Sequence, residues 1–168
     1  MQIINAHSDS EIASIAALAS EIWREHFTPI IGRPQVEYML EKFQSPSSIR
    51  KQIDSGSVYL LVQQESRNIG YASFIPDSGS NSARLSKFYL LKSVRGQGLG
   101  RKLMHHIELL CRGRQINRIW LTVNRHNSGP IAVYEKMGFI KTDAVVQDIG
   151  AGYVMDDFIM VKQLSSQS

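Results

Sequence analysis

A glycine-rich break between a strand-like and a helix-like segment constrains this chain most. The segment ARLSKFYLL, at 83–91, has the alternating apolar pattern of a strand and leads into SVRGQGLG. Leu99, Leu103, Ile107 and Leu110 then recur at helical spacing, and RIWLTV is again strand-like. This order predicts a right-handed crossover between two parallel strands.

The glycine loop, Arg95–Lys102, indicates an anion site. A strand-to-helix turn of this kind presents consecutive backbone N–H groups, and a helix start carries about +0.5 of an elementary charge, so a phosphate would bind there. Glycine permits positive φ and a close approach of the ligand to the backbone. Taken alone, the motif is equally compatible with a tight turn that binds nothing.

The distribution of charge supports the phosphate interpretation. The formal net charge is only +4, which by itself does not indicate a nucleic-acid partner. Five of the 19 bases lie without any acid between residues 87 and 102, so the remaining 14 bases face 15 acids elsewhere. The positive excess is therefore local, as expected of a polyanion site.

Two common phosphate loops are excluded by spacing. A Walker loop requires Lys and then Ser or Thr after its last glycine, whereas Gly100 is followed by Arg101 and Lys102. The dinucleotide fingerprint GxGxxG, started at Gly96, would need its last glycine at position 101.

The other segments predict the fold class. Ser8 and Glu11 have the spacing of a capping box before an amphipathic helix that should end near Phe27. Pro34 suits the first turn of a second helix, and a third helix should follow Ser47. SVYLLVQQ and IGYASFIP should form a hairpin around ESRN.

A last helix, SGPIAVYEKMGF, should end at Gly138, and two closing strands, around 139–147 and 153–162, should flank the turn IGAG. We expect an α/β (α+β) fold, with a mixed central β-sheet of about six to seven strands and helices on both faces. We also expect one domain over residues 1–168.

Composition excludes several other classes of protein. The single cysteine, Cys111, excludes an internal disulfide framework and falls on an apolar helix stripe, which favours a core position. No apolar run approaches the roughly 18 residues of a membrane span, and acids interrupt the N-terminus, so we expect a cytoplasmic protein with no membrane partner. No histidines have ligand spacing, so no metal is expected.

Two blocks together carry a resemblance. FYLLKSVRGQGLGRKL and LTVNRHNSGPIAVYEKMGF resemble the GCN5-related N-acetyltransferase (GNAT) superfamily, whose members move an acetyl group from acetyl coenzyme A (acetyl-CoA) to an amine. The likeness covers about residues 57–162. The first block supplies Arg95, Gly98 and Gly100 of RxxGxG; the second supplies Asn127, Ala132, Tyr134, Gly138 and Phe139.

The resemblance implies which residues hold acetyl-CoA. The backbone of Phe88, Tyr89 and Leu90 would hydrogen-bond the pantetheine arm like an added strand. Asn127 would hydrogen-bond the coenzyme from the other arm of the site. The residues expected around the pyrophosphate are Arg95, Gly96, Gln97, Gly98, Leu99, Gly100, Arg101 and Lys102. Independently of the family, the phosphates of the coenzyme suit the basic loop and its amide-bearing arm suits an unpaired strand edge.

Tyr134 is the implied general acid. An alkylammonium has a pKa of about 10.4, so the acceptor must lose a proton before it attacks, and the departing thiolate must gain one. A phenol with a pKa near 10 is protonated at neutral pH and can donate to a thiolate, whose pKa is roughly 8.5. The alternative is an aromatic residue that merely packs on the sheet.

No general base is assigned from the sequence. Some relatives carry a glutamate on the strand before the loop or near the end of the next strand, but Ser86 and Thr122 stand there. A water chain to solvent is one alternative. The candidates that the family's acceptor region suggests are Glu25, His26, Glu37, Asp156 and Asp157.

The acceptor is expected to be a small primary amine. HFTPIIGRPQVEYML, IWLTVNRHN and MDDFIMVK look similar to bacterial members that acetylate polyamines. Trp23, Phe27, Tyr38 and Asn124 are candidate acceptor contacts, although the aromatic residues could equally be core. A homodimer is possible, since dimers are frequent in the family.

Two other functional classes stay open. The chain could acetylate a protein amino group, including a ribosomal protein N-terminus. It could also be a non-catalytic acetyl-CoA-binding module, or bind nucleic acid through Arg112, Arg114 and Arg118, although we expect no nucleic-acid partner.

Overall fold

A computed structural model describes residues 1–165 of the chain. The strands are β1 (Gln2–Asn5), β2 (Val58–Gln64), β3 (Arg67–Pro76), β4 (Ser82–Leu90), β5 (Arg118–Asn124), β6 (Ile140–Gly150) and β7 (Tyr153–Gln163). The α-helices are α1 (Asp9–Ile31), α2 (Arg33–Phe43), α3 (Pro46–Asp54), α4 (Leu99–Gly113) and α5 (Ser128–Lys136). A 3-10 turn, Lys92–Val94, follows β4.

The strands form one mixed sheet in the order β1-β2-β3-β4-β5-β7-β6. Strands β4 and β5 are parallel, with Ser82–Arg84 opposite Arg118–Trp120, and α4 connects them in sequence. Strand β7 is antiparallel to both β5 and β6. The predicted mixed sheet of six to seven strands and its parallel pair are confirmed.

The chain divides into two compact units, which are described separately. The first comprises residues 1–75 and 86–104, and the second comprises residues 76–85 and 105–168, of which 166–168 lie outside the described residues. None of the described helices combines the length and the apolar character that crossing a membrane requires.

In the first unit, the start of α1 is confirmed and its predicted end is wrong. The Glu11 N–H donates to Ser8 Oγ at 3.1 Å, and the Glu11 carboxylate accepts from the Ser8 N–H, which completes the capping box. The helix continues past Phe27 to Ile31 with Pro29 inside it. Pro29 removes one helical hydrogen bond at an exposed position, where water can satisfy the carbonyl instead.

The core of the first unit is built from helices and strands with apolar inner faces. Helix α1 contacts α2 and α3, and Pro34 lies at the start of α2 as predicted. Strands β2 and β3 form the predicted hairpin, whose two connecting residues, Glu65 and Ser66, both have positive φ. Such a pair matches the natural twist of a hairpin.

The second unit packs one side of α4 against the sheet. Ile107, Cys111 and Ile119 are fully buried, and burial raises the pKa of the Cys111 thiol to about 11. The buried Glu108 carboxylate on α4 forms an ion pair with Lys162 on β7. Cys111 is therefore a protonated core residue, as the sequence predicts.

Candidate active site

The glycine loop is open on its ligand side. Gly96 and Gly98 have φ values of 80° and 74°, and a Cβ added to either would meet no atom within 4 Å. These glycines are therefore required for the backbone conformation and leave room for a ligand. Gly100 already lies in the first turn of α4, where the Lys102 N–H donates to the Gly98 carbonyl at 3.3 Å.

Hydrogen bonds connect the glycine loop to the end of β4, the strand before it. Arg95 donates from Nε and Nη2 to the Leu90 carbonyl, both at 3.2 Å. Leu99 is buried and anchors the loop from its other end, whereas residues 95–98, 101 and 102 are exposed. The arrangement presents exposed positive charges beside a helix start, as an anion site requires.

The end of β4 is held closely by β3. A Cβ on Gly70 would lie 2.5 Å from the Tyr89 carbonyl oxygen and 2.5 Å from Leu90 Cδ2. The Leu91 N–H also donates to the Ile69 carbonyl at 2.8 Å. The absence of a side chain at Gly70 therefore sets the position of the backbone that the family resemblance assigns to the pantetheine arm.

The predicted aromatic acceptor contacts lie in or beside the core of the first unit. Trp23 and Phe27 are only 4% and 7% exposed, and their ring centroids lie 5.8 and 6.1 Å from that of Tyr89. Tyr38 is half-buried, and its hydroxyl accepts from Lys42 Nζ at 3.0 Å. A role for these residues in acceptor binding stays a prediction.

In the second unit, two asparagines join the end of β5 to the start of α5. Asn124 is buried, and its Oδ1 accepts from the His126 N–H at 2.9 Å. The Asn127 N–H donates to the Asn124 carbonyl at 2.9 Å, and the Asn127 carbonyl accepts from the Ile131 N–H. The Asn127 side chain does not cap the helix that it precedes.

Tyr134 lies on α5 and is half-buried. Its ring meets that of Phe139 edge-on at 5.6 Å, and Gly138, with φ 96°, ends the helix as predicted. Burial raises the pKa of the Tyr134 hydroxyl above its ordinary value. The phenol therefore stays protonated at neutral pH and can serve as a proton donor.

The candidate carboxylates differ sharply in their surroundings. Glu25 is exposed, Glu37 pairs with Arg24 at 2.7 Å, and Asp156 pairs with Arg125 at 2.8 Å. Asp157 is only 3% exposed, and its Oδ1 has no hydrogen-bond partner. Sequence reasoning could not separate Asp157 from Asp156.

Arg84 was not among the predicted site residues. Its Nη2 donates to Thr122 Oγ1 at 3.3 Å, and its guanidinium carbon lies 5.3 Å from the centre of the Trp120 ring. Polar residues at alternating positions of an otherwise apolar strand, Thr122 and Asn124, were the available signal. Within residues 1–165, no cluster of three or more His, Cys, Asp or Glu side chains suited to a metal ion is found.

Comparison with known proteins identifies the family to which this chain belongs. The sequence profile of the acetyltransferase (GNAT) family matches residues 15–139, which is most of the chain. The protein therefore belongs to the acetyltransferase (GNAT) family.

One curated relative is similar to about half of the chain. An uncharacterized N-acetyltransferase of Escherichia coli K12, YjgM, is 32% identical over 90 residues, which is 52% of this chain and 54% of YjgM. The chain thus spans about half the length of that curated relative.

Solved structures show the same fold. PaiA N-acetyltransferase from Thermoplasma acidophilum, in complex with coenzyme A, is 23% identical, with 97% of this chain and 99% of that one covered and a TM-score of 0.81. The ribosomal-protein-S18-alanine N-acetyltransferase from Escherichia coli is 17% identical, with 99% and 96% covered and a TM-score of 0.72. At these identities the likeness concerns the fold alone.

Proposed function

We propose that this protein transfers an acetyl group from acetyl-CoA to the primary amine of a small molecule such as a polyamine. The observation that carries the proposal is the open glycine loop. In a member of the acetyltransferase family, it joins a strand to the start of a helix and has two left-handed glycines. An exposed basic loop of this conformation suits a diphosphate.

Binding of acetyl-CoA is supported by three features. Arg101 and Lys102 are exposed at the start of α4, so their charges are available to phosphates. Strand β4 continues to Leu90, six residues beyond its ladder with β5, which ends at Arg84. The structurally similar PaiA N-acetyltransferase is described in complex with coenzyme A.

The chemistry assigned to this chain is direct attack of the amine on the thioester. Tyr134 is the proposed general acid, because a phenol is protonated at neutral pH and can neutralise a departing thiolate, and burial raises the pKa of this hydroxyl still higher. Backbone N–H groups at the end of β4 are the proposed donors to the oxyanion.

A thiol-release assay tests the proposal. The protein is incubated with acetyl-CoA and a panel containing butylamine, 1,4-diaminobutane, spermidine and a peptide with N-terminal alanine, and free thiol is followed over time. We expect amine-dependent thiol release, fastest with the diamine or spermidine. Preference for the peptide would instead identify a protein N-terminal acetyltransferase.

Calorimetry with acetyl-CoA separates binding from turnover. Heat of binding without thiol release for any amine would indicate a non-catalytic acetyl-CoA-binding module. The absence of any heat would contradict the proposed site itself.

A further inference from the structure

The second unit contains a row of polar side chains across three neighbouring strands: Arg84 on β4, Thr122 on β5 and Asp157 on β7. Arg84 donates to the Thr122 hydroxyl, and the Arg84 charge and the Thr122 hydroxyl each lower the pKa of the Asp157 carboxyl on the next strand. The register places Asp157 directly opposite Asn124 on β5. We call these three residues the polar row.

Asp157 is the buried member of the polar row, whereas Arg84 and Thr122 are half-buried, and two polar atoms of the row have no hydrogen-bond partner. Asp157 Oδ1 and Arg84 Nε are both buried without a hydrogen-bond partner; Asp156 Oδ1 is buried as well, but it lies 2.8 Å from the Nε of the positively charged Arg125. Buried polar atoms are nearly always paired, because an unpaired one loses its hydration and gains nothing in return. A carboxylate oxygen in this state calls for an explanation, which a functional role can provide.

A second buried carboxylate provides the contrast. Among residues 1–165, Glu108 and Asp157 are the buried acids, and Glu108 forms an ion pair with Lys162 and lies 3.7 Å from Arg112. Glu108 is thus neutralised within the protein. Within the described residues no ion pair of Asp157 is found, although the nearby Arg84 charge lowers its pKa, and Asp157 Oδ1 has no hydrogen-bond partner.

The position of Asp157 along the sheet favours a functional role. It lies beside the last residue of β5, Asn124, and the backbone then leads through Asn127 into the helix that carries Tyr134. Ligands of open α/β sheets bind outside the carboxyl ends of parallel strands. Asp157 is therefore at the end of β5 where such a ligand is expected.

We propose that the Asp157 carboxylate accepts the proton that the acceptor amine loses as it attacks the thioester, with Thr122 as its positioning residue. The acceptor attacks as the neutral amine: the nitrogen–carbon bond forms, the carbon–sulfur bond breaks, the surplus nitrogen proton passes to Asp157, and the thiolate takes the proton of Tyr134. Exchange with solvent then removes the proton from Asp157 and restores that of Tyr134. This inference rests on the proposed function and names the base that the sequence left unassigned.

The charges around Asp157 are consistent with this task. The pKa of Asp157 is raised to about 6: burial and the neighbouring Asp156 raise it, and Arg84 and the Thr122 hydroxyl partly offset this by lowering it. Val145, opposite Asp157 on β6, and Asn124, opposite it on β5, carry no charge. At neutral pH the group is mostly ionised, yet it is a stronger base than an ordinary carboxylate.

The test compares Asp157→Asn with Asp156→Asn. The neighbouring Asp156 is ion-paired with Arg125 and is the matched control. With the best amine of the panel, kcat/KM of the wild type should fall as the pH drops through about 6. Asp157→Asn should lose roughly 100-fold in kcat and also lose this acidic limb of the pH profile. Asp156→Asn should keep most of its kcat and retain the limb, moved to lower pH because the Asp156 charge raises the pKa of Asp157.

Thr122→Val supplies a second variant and a readout besides activity. Because the Thr122 hydrogen bond lowers the pKa of Asp157, its removal should move the acidic limb to higher pH. Carbon NMR titration of the aspartate carboxyls in the protein alone should show a group that titrates near 6 in the wild type. That group should be missing in Asp157→Asn and should titrate higher in Thr122→Val.

Several results would overturn the inference. An Asp157→Asn enzyme with wild-type kcat and pH profile would show that Asp157 takes no proton. A rise in KM alone, with the acidic limb retained, would make it an ammonium contact only. In both cases the wild type still acetylates amines, so the proposed function survives; a wild type that acetylates no amine would refute both.

Discussion

The glycine loop and the polar row are candidate sites of opposite kinds. The loop is exposed and acts through backbone groups and flanking positive charges, all drawn from eight consecutive residues, 95–102. The polar row consists of side chains, with Asp157 buried and Arg84 and Thr122 half-buried, and joins strands whose residues lie up to 73 positions apart, from Arg84 to Asp157.

This difference explains what each region contributes. A backbone site on the surface tolerates exchange of most side chains, provided that the left-handed glycines remain. A buried side-chain site depends on each hydrogen bond, because a change leaves an unpaired group with no water to replace the partner. Chemistry that needs a tuned pKa therefore belongs in the polar row.

The largest expected effect concerns the proton donor. Tyr134→Phe should lower kcat by about 100-fold or more, because the thiolate would leave without a proton, while the Kd for acetyl-CoA stays near wild type. Steady-state kinetics and calorimetry measure the two quantities. Tyr153→Phe on β7 is the control, and full kcat of Tyr134→Phe at every pH would remove Tyr134 from the chemistry.

The second effect is on stability and applies to the polar row. The pKa of Asp157 is about 6 in the folded protein and near 3.9 when unfolded, so the folded state binds more protons between these values. The free energy of unfolding of the wild type should therefore fall, relative to Asp157→Asn, as the pH rises from about 4 to 6, by about 3 kcal/mol.

Chemical denaturation at a series of pH values measures this difference. Asp157→Asn should be less active and yet more stable at neutral pH, a combination that a merely structural aspartate would not produce. A difference in stability that does not vary with pH would contradict the assignment of the raised pKa to Asp157.

A third effect concerns the loop. Gly98→Ala would hold an L-residue at φ 74° at a cost of about 1 to 2 kcal/mol, although its Cβ would meet no atom. We expect the Kd for acetyl-CoA to rise by about tenfold, as measured by calorimetry. Gly113→Ala, at the end of α4 and equally free of contacts, should leave the Kd unchanged; an equal effect in both variants would count against a special loop conformation.

The smallest expected effect is that of ionic strength, which should change ligand binding at the glycine loop and leave the titration of the polar row almost unchanged. Acetyl-CoA binding should weaken as salt is raised, because the basic residues of the loop are exposed and are screened. Lys102→Gln should reduce this dependence. The acidic limb assigned to Asp157 should move little with salt, because buried charges are screened much less, so a large shift would place its cause at the surface.

The sequence predicts the local features well. The capping box at Ser8, the left-handed end of α5 at Gly138 and the parallel pair around α4 each depend on short runs of residues, and each is confirmed. The end of α1 was misplaced because helical hydrogen bonding continues through Pro29, whose missing bond is at an exposed position, and the Gly32 N–H still donates to the Thr28 carbonyl.

The polar row could not be predicted in the same way. Asp156 and Asp157 are adjacent, and only the pairing of β7 with β5 determines that Asp157 lies opposite Asn124. A shift of one residue in that register would exchange the faces of the two aspartates. Trp23 and Phe27 likewise have the helical spacing of both a core and a pocket wall.

The tight contact at Gly70 has a consequence for the interpretation of genetic variants. A methyl group there would displace the Tyr89 carbonyl and the Leu90 side chain by an ångström or so, since both lie 2.5 Å away. A random mutagenesis screen scored by growth or resistance should then report Gly70 among the most sensitive positions. A change at Gly70, which has no side chain, should therefore be considered as damaging as a change at a residue with a reactive group.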